Sequence, residues 1–285
     1  MLVNLKEILK IAEEEKNAIG MFNATGFDSL QAVIGAAEDL NKPVIIAHAE
    51  VHNVYNDISI VGPAMVGAAQ AAKVPVCVHL DHGTSLDMIY KALRLGFTSV
   101  MMDASAFPYE ENLRLTKMIT EAAHSMNVSV EAELGRLVTG EAGSGEALSN
   151  ANPEDFYTCP KEAKSFCEAT GIDALAIAFG TAHGFYTAQP KLDFDVVKNC
   201  AKATGLPLVM HGGSGVSEEG FKKAIENGIR KINYYSYMSK AGYMAAKKTI
   251  ESGTTNYLHD VEYAAMQAMK EDVKKAIAIF SQRSI

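Results

Sequence analysis

The sequence lacks the features that would place the protein in a membrane or on a nucleic acid. No apolar run reaches the roughly 18 residues that a membrane-spanning helix needs. Acidic side chains outnumber basic ones, 34 against 26, and the basic ones form no cluster. These absences argue against nucleic-acid and membrane-surface partners. A small-molecule partner is expected instead, and an anionic one would need a local binding site.

Cysteine is also scarce, and the few thiols form no regular framework. There are four cysteines and no C-x-x-C pair: Cys77, Cys159, Cys167 and Cys200. This usage is typical of reduced thiols, so we expect a cytoplasmic protein. Residues 1–16 include Lys6, Lys10 and three consecutive glutamates, which makes them too charged for a signal-peptide core. They predict an amphipathic helix.

Short β-rich runs alternate with longer helical patterns along the chain. Eight strands are predicted, at 18–22, 43–47, 74–79, 99–102, 128–132, 174–179, 206–210 and 231–232. Near-continuous apolar strands, each followed by a helix, are the pattern of a closed parallel (β/α)8 barrel. The chain has 285 residues, 48% of them hydrophobic, and no repeat or linker. We therefore predict one α/β TIM-barrel domain over residues 1–285, ending in a helical C-terminal segment.

Capping residues indicate where several helices begin. Asp28 is expected to cap a helix over 29–40, and Ser85 a helix over 86–95. Ser217 is expected to cap the helix that follows it.

Polar residues follow nearly every predicted strand at its C-terminal end. They are Asn23, the segment 48–52, Asp81, His82, Asp103, Glu133, His183, His211 and Asn233. A single acid at such a place is usually a helix cap or an ion-pair partner. Because the C-terminal ends of barrel strands surround one mouth, where such barrels carry their chemistry, the coincidence across strands favours a site.

Three of the eight histidines are each followed directly by glycine, just past an apolar run: His82, His183 and His211. A lone histidine after a strand is more often a hydrogen-bonded residue than a ligand. The repeated context favours ligands, since glycine leaves room for an approaching substrate. Three neutral imidazoles with an open coordination position are the arrangement of a catalytic zinc site. The other five histidines are expected in core, surface or supporting positions.

Asp81 directly precedes one of these histidines. A carboxylate beside a metal-bound oxygen substrate is a natural general acid and base. The alternative is that Asp81 orients an imidazole.

Glycine-rich backbone follows the last two predicted strands. His-Gly-Gly-Ser-Gly-Val occupies 211–216 after strand 7, and Asn-Tyr-Tyr-Ser occupies 233–236 after strand 8. In a barrel this is the usual place for a phosphate site made of backbone N–H groups. The alternative is a plain turn.

A long stretch of small residues, 136–155, contains Glu141 and Glu146. Long loops in compact domains favour function, so this one is predicted to be a mobile active-site lid. We expect one of its acids to close over the substrate.

Taken in order, the motifs resemble those of the class II, metal-dependent fructose/tagatose-bisphosphate aldolases. They are Phe-Asn at 22–23, His-Leu-Asp-His-Gly at 79–83, Met-Asp at 102–103, Glu-Ala-Glu-Leu-Gly at 131–135, Gly-Thr-Ala-His-Gly at 180–184, His-Gly-Gly-Ser-Gly at 211–215 and Lys-Ile-Asn at 231–233. No single motif is specific, but the ordered set is.

The resemblance implies a metal and two proton-transfer groups. The residues implied at the zinc are His82, His183 and His211, with Asp103 and Glu133 near an alternative zinc position. Asp81 would accept a proton from the substrate's C4 oxygen and donate it back in the reverse reaction. Glu141 would return a proton to the carbon of the dihydroxyacetone-phosphate half.

The resemblance also implies a substrate site and an assembly. The residues implied to bind the phosphorylated half are Asn23, Gly184, Gly212, Gly213, Ser214, Asn233, Tyr234, Tyr235 and Ser236. A sodium or potassium ion would assist near the same glycines. Relatives in this family are commonly homodimers or homotetramers.

Three departures from the family pattern concern substrate recognition. Ala49 stands where a serine or threonine is usual, and Tyr234-Tyr235-Ser236 replaces small residues followed by threonine. The C-terminal residues 280–285 replace a segment that usually contains glycine and lysine. Because guanidinium binds anions in a bidentate manner, we hypothesise that Arg283 folds over the barrel mouth, either its own or a neighbour's, and binds the far anion of the substrate.

These features together predict reversible, zinc-dependent aldol cleavage of a phosphorylated ketose in carbohydrate metabolism, such as glycolysis. The expected substrate resembles fructose or tagatose 1,6-bisphosphate, and the products are dihydroxyacetone phosphate and an aldehyde such as glyceraldehyde 3-phosphate. Two alternatives stay open: an aldolase of the inositol-breakdown type, and a metal-binding barrel without catalysis.

Two other enzyme types are disfavoured. A Schiff-base aldolase needs a lysine that emerges inside the barrel, whereas Lys231 is expected at the start of its strand. An amidohydrolase-type barrel needs a His-x-His pair on an early strand, and the sequence has none.

Overall fold

Eight parallel strands close on themselves to form a barrel. The structure, a computed structural model, describes residues 1–135, 138–139, 157–185 and 190–282. Its strands are β1 (Leu2–Val3), β2 (Ile19–Asn23), β3 (Val44–Ala49), β4 (Val76–Gly83), β5 (Ser99–Met102), β6 (Ser129–Leu134), β7 (Val138–Thr139), β8 (Ala174–Ile177), β9 (Ala182–His183), β10 (Leu208–Met210) and β11 (Ile229–Asn233). The ring runs β4-β3-β2-β11-β10-β8-β6-β5, and β5 pairs back to β4. The predicted barrel is confirmed.

Three short strands lie outside the ring. β1 pairs with the edge of β4, and β7 pairs with β9 in a two-stranded sheet of its own. Strand β8 ends at Ile177, so it is two residues shorter than the strand predicted at 174–179.

Helices follow the strands, and most of them cover the outside of the ring. They are α1 (Leu5–Glu15), α2 (Phe27–Leu40), α3 (Ile58–Ala71), α4 (Leu86–Arg94), α5 (Tyr109–His124), α6 (Pro160–Thr170), α7 (Phe194–Thr204), α8 (Glu218–Asn227), α9 (Ser236–Ser252) and α10 (Leu258–Phe280), with a 3-10 turn at Glu50–Val54. None of those in the described ranges is long and apolar enough to cross a membrane.

Two of the three predicted helix caps are present. The hydroxyls of Ser85 and Ser217 accept hydrogen bonds from backbone N–H groups in the first turns of α4 and α8. Asp28 was wrongly expected to cap α2. The helix begins at Phe27, two residues earlier than predicted, and the hydroxyl of Ser29 accepts the N–H of Gly26, so Asp28 lies within the first turn.

The barrel interior and the layer beneath the helices form separate apolar cores, since side chains alternate along each strand. Ile19 and Met21 of β2 point inward with Ile45 and Ala47 of β3. The helix α1 belongs to this inner core and contributes Leu5, Ile8, Leu9 and Ala12, all fully buried. It therefore closes the end of the barrel opposite the C-terminal ends of the strands.

The C-terminal helix α10 is part of the outer layer. It packs along α2 and α9, and its last residue, Phe280, is buried against Phe221 with 4.9 Å between ring centroids. The backbone oxygen of Phe280 accepts the N–H of Ala18 at the entry to β2. This anchors the helix to the barrel itself.

Candidate metal centre and active site

Three histidines meet at the mouth of the barrel. His82 lies near the end of β4, His183 in β9, and His211 directly after β10. One ring nitrogen from each lies within 4.8 Å of those of the other two. The three glycine-flanked histidines that the sequence singles out are thus brought together.

A local backbone feature lets Asp81 and His82 face the same space. Neighbouring residues on a strand normally point to opposite faces. His82 has a φ of 46°, in the left-handed region that L residues seldom adopt. The turn breaks the alternation, so that both side chains reach the mouth although they are adjacent in sequence.

Two acids surround the same imidazole. His82, Asp103 and Glu133 form a second group whose ligand atoms lie within 4.8 Å of one another. A 2.6 Å hydrogen bond joins His82 Nδ1 to Asp103 Oδ2. Such a bond fixes the orientation of a ligating ring, so Nε2 is the nitrogen of His82 available to a metal.

The donor set fits a divalent transition metal. Among the described residues, His211 Nδ1 and Glu133 Oε2 are buried without a hydrogen-bond partner, and they lie 3.4 Å apart. Buried polar atoms normally have a partner. A cation among the imidazoles would satisfy both atoms, and three histidines with nearby carboxylates are ligands suited to zinc or a similar ion.

Electrostatics at the cluster also favour a cation. Burial and the neighbouring His82 lower the pKa of His183 to about 3, and burial lowers that of His211. Both rings are therefore neutral at neutral pH, the form that binds metals. Burial opposes the charged form of His82, but Asp81 and two further carboxylates raise its pKa to about 10. A metal would have to displace a proton from this ring.

Asp81 is held as an oriented carboxylate. It is buried, and Asn23 Nδ2 donates to its Oδ2 while Asn233 Nδ2 donates to its Oδ1, each at 3.1 Å. Burial alone would raise the pKa of Asp81, but His82, His211 and Lys231 hold it below its ordinary value. The side chain is thus ionised and accepts protons in a fixed direction.

The two glycine-rich segments are tied to each other. Gly213 donates its N–H to the backbone oxygen of Asn233 at 3.0 Å, and Tyr235 donates its N–H to the Ser214 hydroxyl at 3.1 Å. Gly212 has a φ of 65°, and a Cβ there would lie 2.2 Å from the oxygen of Ala182. The tight approach of β9 therefore requires glycine at this position.

The three residues after Asn233 have different surroundings. The Tyr234 ring packs edge-on against Phe22 and Phe280, each 6.0 Å away between centroids. The Tyr235 ring lies 4.9 Å from His52, and Ser236 is buried at the start of α9. The packing of Tyr234 under the helices argues against the predicted substrate contact of its side chain.

Sequence reasoning missed two residues beneath the mouth, Glu131 and Lys231. Glu131 Oε1 and His211 Nε2 are joined by a 2.9 Å hydrogen bond, and Lys231 Nζ lies 2.9 Å from Glu131 Oε2. Alternation along the strands was the signal, because Glu131 precedes Glu133 by two residues and Lys231 precedes Asn233 by two.

The expected position of Lys231 is wrong. Its strand begins at Ile229, so Lys231 lies in the middle of β11 with its side chain fully buried inside the barrel. The position therefore no longer argues against a Schiff-base lysine. Its engagement with Glu131 does, since a nucleophilic amine must be uncharged and open to substrate.

Of the lid predicted at 136–155, the structure describes only Val138–Thr139, which form β7. Three predicted functional residues lie outside the described residues. They are Glu141 and Glu146 in the segment 140–156, and Arg283 in the segment 283–285. Their roles stay predictions.

Comparison with known proteins gives one consistent result. The family model described as fructose-bisphosphate aldolase class-II matches residues 3–284. The chain is 41% identical over 283 residues to the uncharacterized protein YdjI of Escherichia coli (strain K12), covering 98% of each. It is 39% identical over 308 residues to the fructose-bisphosphate aldolase of Thermus caldophilus, covering 98% of each. The crystal structure of the YdjI aldolase from Escherichia coli K12 superposes with a TM-score of 0.87 at 37% identity, covering 98% of this chain and 97% of that one.

Proposed function

The chain belongs to the class II fructose-bisphosphate aldolase family, and from this premise we propose that it is a zinc-dependent aldolase of a ketose 1,6-bisphosphate. It cleaves a fructose- or tagatose-type substrate reversibly to dihydroxyacetone phosphate and glyceraldehyde 3-phosphate. One observation carries the proposal: three imidazoles and an oriented, ionised Asp81 face the same space at the barrel mouth.

The metal half of the site consists of His82, His183 and His211. The rings of His183 and His211 are neutral, the form that zinc prefers, and the ring of His82 would become a ligand on losing its proton. Asp103 and Glu133 offer a second position beside His82. Zinc bound there supplies Lewis-acid stabilisation of the negative charge that develops on the dihydroxyacetone-phosphate half.

The proton-transfer half of the site is Asp81. Being ionised, it accepts the proton of the C4 hydroxyl as the C3–C4 bond breaks, and it returns that proton in the synthesis direction. Asn23 and Asn233 each donate to a different oxygen of the carboxylate, which limits its rotation. Glu141 remains our candidate for the proton delivered to the other product.

The phosphate half of the site follows β10 and β11. The N–H groups of Gly213 and Tyr235 already donate hydrogen bonds that join the two segments. We therefore assign the phosphate to Ser214 and to the first turn of α9 at Ser236, because N–H groups at a helix start attract anions. Gly184 and Gly212 belong to the same proposal, with a sodium or potassium ion near them.

Assembly and location complete the proposal. Large apolar side chains are exposed along α9 and α10, among them Tyr243, Ile250 and Tyr263. Aromatic side chains are enriched at protein interfaces, which supports a homodimer or homotetramer. We also propose that the whole chain is one barrel domain and that it acts in the cytoplasm.

The substrate is the least constrained part of the proposal. Ala49 pairs with Asp81 across β3 and β4, where the family usually has a hydroxyl, and Tyr235 stacks near His52 at the rim. These differences keep an inositol-breakdown-type substrate as the second candidate. A barrel without catalysis is disfavoured, since Asp81 and all three histidines are present.

A substrate panel tests the proposal. The bisphosphates of fructose and tagatose, their 1-phosphates and a phosphorylated keto acid of inositol breakdown are assayed for triose-phosphate release. We expect one bisphosphate to have the highest kcat/KM. Preference for the keto acid supports the second candidate, and release from none of them contradicts the proposal.

A further inference from the structure

A buried lysine lies directly beneath the proposed site. Lys231 is fully buried inside the barrel, where a charged amine is costly unless it is paired. Its Nζ lies 2.9 Å from Glu131 Oε2 and donates to Glu131 Oε1 at 3.2 Å. It also donates to Asn233 Oδ1 at 2.7 Å. The amine is therefore committed to two partners, and each partner leads to a different part of the site.

The first branch leads to the metal cluster. Glu131 Oε1, which accepts from Lys231, also forms the 2.9 Å hydrogen bond with His211 Nε2. A carboxylate is an acceptor only, so the proton of the neutral His211 ring resides on Nε2 and the lone pair on Nδ1. Nδ1 is the atom that lies against Glu133, in the cluster. Lys231 thus holds the carboxylate that orients a metal ligand.

The second branch leads to the proton-transfer group. An ammonium is a donor only, so the amide oxygen of Asn233 must face Lys231. The amide nitrogen must then face the opposite way, where it donates to Asp81 Oδ1 at 3.1 Å. The lysine and the carboxylate therefore select the same orientation of the amide, one from each side. The reversed orientation would place oxygen against oxygen at Asp81.

We propose that Lys231 is a positioning residue that sets His211 through Glu131 and Asp81 through Asn233. It touches neither metal nor substrate. The inference rests on the proposed roles of His211 and Asp81. It makes one buried cation responsible for the relative placement of the metal half and the proton-transfer half of the site.

Three variants separate positioning from charge balance. Glu131→Gln removes the acidic partner and keeps an oxygen for His211. In that background, Lys231→Met removes the donor to Asn233, whereas Lys231→Gln keeps an uncharged N–H donor of similar size. The matched control is Glu15→Gln with Lys42→Met, which removes a lysine–glutamate pair of 3.2 Å outside the site. Each protein is measured for melting temperature, zinc affinity against a chromophoric chelator, and kcat and KM at saturating zinc.

The expected pattern is a split between the readouts. All three variants that carry Glu131→Gln lose about 10-fold to 100-fold in zinc affinity, the usual effect of changing a partner that orients a ligand. The Met variant also loses at least about tenfold in kcat with little change in KM, and the Gln variant recovers most of it. The control loses stability but keeps its kcat and its zinc affinity.

Equal kcat values for the Met and Gln variants would overturn the proposal, as would a Met variant that alone fails to fold. A similar kcat loss in the control would also overturn it. A parent enzyme that keeps its activity in chelator would instead refute the proposed metal function, so the two failures are distinguishable.

Discussion

At the scale of single residues, the surroundings of Asp81 fix both the orientation and the ionisation of its carboxylate. Two amide donors fix its oxygens, and nearby positive charge keeps it ionised although it is buried. A buried carboxylate with these partners accepts a proton without first having to be reoriented. Orientation and ionisation together are what a general base requires.

Replacing Asp81 with alanine should leave zinc bound and reduce kcat by roughly 10²–10⁴, the usual contribution of a positioned acid or base. Metal analysis and steady-state kinetics on the same preparation check this. Asp39→Ala is the control, because it removes an exposed carboxylate paired with Lys270 and Lys274, away from the site. Loss of zinc from the Asp81 variant would show that the residue orients an imidazole instead.

The sequence allowed the residues at the barrel mouth to be predicted more fully than the buried residues beneath them. His82, His183 and His211 stand out because each precedes a glycine at the end of a strand. Glu131 and Lys231 carry no such marker and lie within strands β6 and β11 rather than at their ends. Applying the two-residue alternation inward from Glu133 and Asn233 would have found both, since side chains two apart share a face.

At the scale of elements, the eight barrel strands were predictable because each is a short β-rich run followed by a helical pattern, whereas β1, β7 and β9 are too short to show any period. The start of α2 was predicted wrongly because Asp28 and Ser29 are both good capping residues. Only the structure shows that the Ser29 hydroxyl forms hydrogen bonds with the backbone of Gly26.

The segment after β10 depends on Gly212. Alanine at this position would put a Cβ 2.2 Å from the Ala182 oxygen at a φ of 65°, so the segment must shift away from β9. We expect a loss of about 1–3 kcal/mol in the free energy of unfolding and a higher KM for phosphorylated substrates. Urea unfolding and kinetics check this. Gly67→Ala in α3 is the control, since no atom lies within 4 Å of the added Cβ and stability should rise or hold. Equal effects of the two changes would contradict the interpretation.

Helix α1, which closes one end of the barrel, should contribute to stability and not to catalysis. Leu9 is fully buried in the inner core at the closed end of the barrel. Leu9→Ala should lower the free energy of unfolding by about 2–5 kcal/mol, as expected for a cavity in a packed core. The kcat of the folded enzyme should stay within about twofold, in line with a change that lies away from reacting groups. A large kcat loss without loss of stability would show that the two ends of the barrel are coupled.

At the scale of the whole molecule, the barrel separates stability from function. Its closed end is filled by α1 and apolar side chains, while charged and polar groups become more frequent along the interior toward the mouth. Lys231 and Glu131 lie between the two regions. Above them, three imidazoles, three carboxylates and two glycine-rich segments share the open end.

Metal removal and restoration test the central claim most directly. The enzyme is stripped with a chelator, freed of chelator, and assayed for triose-phosphate release before and after titration with zinc, with borohydride trapping in parallel. The account predicts that cleavage is lost on stripping, returns at about one zinc per chain, and leaves no lysine adduct with borohydride. Full cleavage by the metal-free protein, or a trapped lysine adduct, would contradict it.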